Sequence, residues 1–167
     1  MAAVKGLAMA AEKPCVGVST LEALARNLAG FAGSAAAVMD ARCGQVYAGL
    51  FSLEDGEVRR LAEDTALSVV ELGNLLPALK KPVFLVGDGA ELCYNKLLEE
   101  PPPGPPPVEW LRLAPPHLRY QRASAAGAAA LAAWLRGEEM DAGELVPAYL
   151  RLPQAERELK KKQEEKP

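Results

Sequence analysis

Residues 38–51 read V-M-D-A-R-C-G-Q-V-Y-A-G-L-F, two apolar runs around the polar turn Asp40–Gly44. Gly44 supplies the positive φ of a tight reversal, and Asp40 can hydrogen-bond the turn's backbone. Beyond the turn Val46, Ala48 and Leu50 alternate with Tyr47, Gly49 and Phe51, so both faces are apolar. That pattern predicts a strand covered on both sides, and a hairpin of 35–40 and 45–52 at the centre of an α/β domain.

The same reading places the remaining elements. Residues 2–12 predict a helix with Val4, Leu7, Ala8 and Ala11 on one stripe, no N-cap residue, and Pro14 as its stop. Gly6 inside it costs up to about 1 kcal/mol against Ala, or else admits a neighbouring backbone. Cys15–Val18 predicts a short buried strand, and Ser19 with Glu22 a capping box that opens a helix using Leu21, Leu24, Ala25 and Leu28. After the hairpin, 57–61 predicts a more polar strand near an edge. Ser68 and Glu71 repeat the capping box before a helix with Leu72, Leu75, Leu76 and Leu79. Val83–Val86 is an uninterrupted apolar run, as in a strand buried on both faces. Gly87-Asp88-Gly89 then turns into a helix over 90–98.

Residues 101–107, P-P-P-G-P-P-P, predict a stiff polyproline surface connection. A short strand over 108–113 follows. A helix of small residues with Leu131, Trp134 and Leu135 covers 123–136 and stops at Gly137. Residues 147–151 predict a last extended segment, and the charged stretch from Gln154, with Lys160–Lys162, a solvated tail. From residue 35 the order is three antiparallel strands, then alternating helix and strand. This is the layout of a ribonuclease-H-like domain, the unit that actin-like ATPases contain twice. The expected fold is therefore α/β, with a mixed sheet and helices on both faces.

Composition narrows the chemistry. The chain of 167 residues suffices for one domain with a real core, and its net charge of −3 gives no global attraction to nucleic acid. Its three cysteines, Cys15, Cys43 and Cys93, form no C-x-x-C pair, which argues against a disulfide framework or zinc site and fits a reducing, cytoplasmic setting. No apolar run reaches the length of about 18 residues that a membrane helix needs. Asp40 and Asp88 follow the first and fourth strands of the layout, where ribonuclease-H-like nucleases hold two Mg²⁺ ions. Such a site needs further carboxylates, and the candidate Glu71 already serves a cap. The structural reading is favoured: Asp40 is explained by its turn, and Asp88 by capping the next helix. Gly87-Asp88-Gly89 is too short to specify a phosphate site. His117 is the sole histidine, which leaves a His-dependent triad or an H-x-x-x-H metallopeptidase unsupported. Cys43 sits exposed in its turn beside Arg42, and Arg119, Arg122 and Arg151 read as ordinary surface.

Several phrases together resemble one family: V-K-G-L-A-M-A and K-P-C-V-G-V-S-T-L-E-A-L-A (4–25), M-D-A-R-C-G-Q-V-Y-A-G-L-F (39–51), V-G-D-G-A (86–90), D-A-G-E-L-V-P-A-Y-L-R (141–151) and Q-A-E-R-E (154–158). They are similar to the TsaB (YeaZ) family of tRNA threonylcarbamoyladenosine biosynthesis proteins, with Asp40, Ala41, Arg42, Gly44, Gln45 and Tyr47 as the signature hairpin. The resemblance implies an actin-like ATPase fold without catalysis, cofactor or metal. It implies a scaffold that forms a heterodimer with the paralogous TsaD subunit and is joined by the ATPase TsaE. Through that complex it would reach tRNA, where the product is a modified adenosine beside the anticodon. A homodimer is a further expectation. The competing expectation is a working nucleotide- or metal-dependent enzyme using Asp40 and Asp88.

The family's first subdomain, with its D-T-S turn and G-P-G-S-F-T-G-L-R phrase, has no counterpart here. The resemblance therefore implies that Met1 lies inside the helix after that phrase, from a late-assigned start or a true truncation. Residues 1–34 would be the remnant of the first subdomain, 35–152 the ribonuclease-H-like second subdomain, and 153–167 a tail. The partner surface would then be Val4, Gly6, Leu7, Ala8 and Ala11. With that stripe bare, the isolated chain is expected to self-associate and to bind TsaD weakly.

Overall fold

The alanine-rich run before Asp40 becomes β2 (Gly33–Asp40) in the computed structural model, which describes residues 1–150. Ala35, Ala36, Ala37 and Val38 are all fully enclosed there, because both faces of the strand are covered. β2 pairs antiparallel with β3 (Gln45–Glu54), from Gly33↔Leu53 to Asp40↔Val46, as the hairpin pattern predicts. β3 pairs in turn with β4 (Glu57–Ser68). On its other side β2 runs parallel to β5 (Val83–Val86), and β5 to β6 (Leu111–Leu113). The sheet order is β4-β3-β2-β5-β6, a mixed sheet with its first three strands as an antiparallel meander.

Strand alternation divides the core into two layers. Ala36, Val38, Val46 and Leu85 point to the layer of α3 (Val69–Leu75) and α4 (Ala90–Glu99), with Leu72, Leu76, Cys93 and Leu97. Ala35, Ala37, Phe51 and Val86 point to the layer of α2 (Thr20–Arg26), with Leu21, Leu24 and Leu28. Phe31 meets Phe84 edge to face, ring centres 5.1 Å apart. α6 (Ala123–Leu135) lies against α2. α1 (Ala2–Ala10) precedes β1 (Cys15–Val16), which pairs antiparallel with β7 (Glu139–Met140) outside the central sheet.

Several expectations need correction. The buried strand of 15–18 shrinks to two residues, of which only Cys15 is buried. Its partner β7 is equally short, so Val18 lies on the surface. Gly6 has nothing within 4 Å of a built Cβ, so no backbone approaches it among the described residues. At α2 only half of the capping box forms. Ser19 accepts from the Glu22 amide, but the Glu22 carboxylate turns to Arg26. At α3 the box is complete, Ser68 and Glu71 bonding each other's amides. The third strand does not stop at 61 but runs on to Ser68, irregular around Gly49. The helix behind it gives way to a 3-10 turn at Leu76–Ala78. That breaks the helical spacing and leaves Leu75 exposed while Leu72 and Leu76 are buried.

The proline segment is more structured than a surface connection. Pro102 and Pro107 are buried, Pro107 opens α5 (Pro107–Trp110), and the Trp110 indole donates to the Pro105 carbonyl at 3.0 Å. This leaves 111–113 for the strand expected over 108–113. In α6 the alanines 125, 129 and 133 face inward, while Leu131, Trp134 and Leu135 face out. Residues 147–150 form no strand, and Arg151, the 154–158 phrase and Lys160–Lys162 lie outside the described residues.

Candidate functional site

The hairpin turn and the loop after β5 meet at one end of the sheet. Asp40 ends β2, and its Oδ1 accepts from the Arg42 amide at 2.7 Å while its Oδ2 lies 3.5 Å from the Arg42 guanidinium. The Ala41 amide donates to the Gln45 carbonyl at 3.0 Å, so the turn closes through its backbone. Arg42, Cys43 and Gly44 all take positive φ (66°, 54° and 72°), a run that only Gly44 adopts at little cost. Tyr47 and Met39 pack against the α2 layer beside this turn.

Parallel pairing of β2 and β5 brings the second loop to the same place. The Asp40 amide donates to Asp88 Oδ1 at 3.3 Å, and the Gly89 amide to the Val38 carbonyl at 3.2 Å. A Cβ on Gly87 (φ 116°) would sit 2.0 Å from the Val38 oxygen, and one on Gly89 would sit 3.1 Å from the Asp40 nitrogen. Gly87 is thus required by close approach to β2, and Gly89 fits tightly against the same strand. Asp88 does not cap α4, as its position before the helix suggests: Gly89 is the N-cap and no side chain bonds the first turn. The two aspartates are neighbours, but Asp40's carboxylate serves its own turn and Asp88's serves the Asp40 backbone. Among the described residues no three His, Cys, Asp or Glu side chains converge. Below them Cys93 is enclosed in the core, and burial, aided by the Asp40 charge, pushes its thiol up to about 12.

A second polar assembly escaped the sequence reading. Asp64 of β4 accepts from the Ser19 hydroxyl and pairs with Arg60, and Arg60 also reaches Glu22 at 3.5 Å. The Arg60 guanidinium lies 4.8 Å over the Phe51 ring. The absence of a side chain at Gly49 makes this possible, since a Cβ there would stand 2.7 Å from Asp64 Oδ1. Its sequence signal was the charge on residues 60 and 64 of an edge strand, legible only once α2 is placed beside them. Arg119, read from sequence as surface, is buried; it donates to the Ala114 carbonyl and pairs with Glu91. His117 and Arg122 are exposed.

The stripe expected to meet a partner is laid open. α1 buries no residue, and Val4, Leu7 and Ala11 are exposed with Ala8 half-buried. The Lys5 ammonium holds the helix to the body through the carbonyls of Gly143 and Leu145 at 3.2 and 3.1 Å. Beside it opens a groove of about 780 Å³, lined among others by Val4, Val18, Met39, Tyr47, Leu145 and Tyr149. No described helix is long and apolar enough to cross a membrane.

Residues 1–100 match the family model described as TsaD: tRNA N6-adenosine threonylcarbamoyltransferase. The chain is 31% identical over 96 residues to the tRNA threonylcarbamoyladenosine biosynthesis protein TsaB of Bacillus subtilis, an overlap of 58% of this chain and 42% of that protein. YeaZ from Pseudomonas aeruginosa superposes with a TM-score of 0.66 at 29% identity, over 89% of this chain and 65% of that structure. A second structure, described as an uncharacterized protein with similarity to peptidase YeaZ from the same organism, gives 0.66 and 28%, over 90% and 65%. The chain thus spans less than half of the curated relative and 65% of the solved ones.

Proposed function

Because the chain belongs to the TsaB/YeaZ group of the TsaD family, we propose that it serves tRNA threonylcarbamoyladenosine biosynthesis as a non-catalytic holder of a TsaD-type paralogue. A TsaE-type ATPase joins the pair, tRNA is met through the complex, and the setting is cytoplasmic. The observation that carries this reading is α1: a helix within the family match that buries none of its residues and leaves Val4, Leu7 and Met9 exposed. Leu7 is 74% exposed, and Gly6 beside it lets a partner helix approach closely. In keeping with a silent role, the Asp40 carboxylate is engaged within its own turn and Glu71 in its cap.

Reconstitution tests the proposal. Purified TsaD-type and TsaE-type subunits modify tRNA faster when this chain is added, and Leu7→Glu removes the gain. Modification indifferent to the chain overturns the reading. ATP turnover by the chain alone, lost in Asp40→Asn, transfers the assignment to an enzyme built on Asp40 and Asp88, and the observation favouring it is the 3.3 Å hydrogen bond from the Asp40 amide to Asp88 Oδ1.

A further inference from the structure

α1 is nine residues long, buries none of them and has no side-chain cap at its N-terminal end. Isolated helices shorter than about 12 residues are marginal in water, so α1 needs an outside hold. Its C-terminal end has one in the backbone. The Lys13 amide donates to the Ala8 carbonyl at 2.9 Å, and the chain turns away through Glu12, at φ 51°, and Pro14. The N-terminal half lacks such a closure.

Two openings lie between α1 and the segment that follows β7. One, of about 410 Å³, is lined by Ala8, Met9, Lys13, Asp141 and Gly143 among others. The other is the groove of about 780 Å³, to which α1 gives Val4 and the sheet gives Met39 and Tyr47. Lys5, midway along α1, spans the gap. Its ammonium donates to the carbonyls of Gly143 and Leu145 at 3.2 and 3.1 Å. Among the described residues these are the hydrogen bonds by which an α1 side chain reaches another element. The receiving carbonyls are already in place. The Glu144 amide donates to the Asp141 carbonyl at 2.9 Å, and the Asp141 amide to the Glu144 carboxylate at 3.2 Å. Ala142 is buried, and Leu145 rests on Gly17, where a Cβ would stand 3.4 Å from its Cδ1. One cationic donor on a weak helix thus meets two fixed acceptors, the stronger kind of hydrogen bond.

We propose that Lys5 is a clasp and α1 a movable wall of the groove. While the ammonium holds the two carbonyls, the N-terminal half of α1 is helical and Val4 closes its side of the groove. When the clasp is lost, that half frays from the uncapped end, parts from residues 143–145 and opens the groove. The stripe of Val4, Leu7 and Ala11 is aligned only while the clasp holds. This is a property of the chain by itself and does not depend on the function proposed above.

Hydrogen exchange read by mass spectrometry on the full chain tests it. Lys5→Met keeps the stem and removes the donors, and it speeds exchange of the α1 amides roughly tenfold while β2 and β5 keep the parent's rates. Lys5→Arg keeps the charge and the donors, and it restores the protection of α1. The proposal is overturned if Lys5→Met exchanges like the parent, or if α1 is unprotected in the parent. It is equally overturned if the gain spreads to β2 and β5, where Lys5 would be holding the whole fold, or if Lys5→Arg exchanges as fast as Lys5→Met.

Discussion

The backbone amide of Asp40, at the end of β2, donates to Asp88 Oδ1, at the end of β5, over 3.3 Å. This one bond ties the hairpin turn to the loop entering α4. What it needs is an acceptor oxygen, not a charge. Asp88→Asn is therefore expected to leave the unfolding midpoint where it is, whereas Asp88→Ala lowers stability by about 1 kcal/mol. Chemical denaturation of the two variants checks this. A loss in Asp88→Asn equal to that in Asp88→Ala would show that the carboxylate charge matters.

Two glycines at this end separate strain from collision. Gly44 and Gly87 both have positive φ, but a Cβ on Gly44 meets open space and one on Gly87 meets the Val38 oxygen. Gly44→Ala is expected to cost about 1 kcal/mol of backbone strain. Gly87→Ala must move β2 or the loop and is expected to cost more than about 3 kcal/mol, or to prevent folding. Equal costs would mean that the loop yields.

The pattern of apolar residues revealed β2, β3 and β5, because their environments are uniform: Val46, Phe51 and Val83–Leu85 look into cores on both sides. Ser68 and Glu71 announced α3 through a local device that needs no tertiary partner. β4 was legible only over 57–61, since residues 62–68 take their conformation from β3 rather than from their own mixed polar sequence. The same holds for β7, which exists through Cys15 and Val16. Arg119 looked like surface because burial of an arginine depends on the Ala114 carbonyl and Glu91 being brought to it. Of the candidate site, the hairpin residues were readable and so was the apolar stripe of α1. The engagement of Asp88 by a backbone amide and the Ser19–Asp64–Arg60 assembly were not, because both join segments far apart in sequence.

Ser34 is fully enclosed in β2, and its hydroxyl has no hydrogen-bond partner among the described residues. An unpaired buried oxygen forfeits its hydration without return. Ser34→Ala is accordingly expected to stabilise the fold by about 1 kcal/mol, read as a higher denaturant midpoint with an unchanged slope. A drop in the midpoint would reveal a partner for the hydroxyl in solution.

The α3 capping box makes a pH signature. The Ser68 amide and hydroxyl hold the Glu71 carboxyl below its ordinary value of 4.5. A carboxylate depressed on folding adds stability that is complete above the unfolded value and lost as pH falls through the folded one. The parent and Glu71→Ala should therefore differ in thermal midpoint at neutral pH, and the gap should narrow once the pH drops below about 4. A gap that persists into strong acid would assign the effect to packing.

The cysteines respond in the opposite direction of pH and report on opening. Cys43 is exposed on its turn, while Cys93 is enclosed with a thiol pushed up to about 12 by burial. A thiol whose value rises on folding holds its proton in the native state where the unfolded chain has released it. The fold then loses stability as pH climbs above the ordinary value of 9.0. At neutral pH a thiol reagent should modify Cys43 at once, and Cys93 only at the rate at which the sheet and α4 separate. Cys93→Ala should lessen the alkaline loss of stability while leaving the fast labelling untouched. If Cys93 instead reacts as fast as Cys43 in the native chain, then α4 does not stay seated on the sheet, and the core around Leu97 and Val38 must open freely.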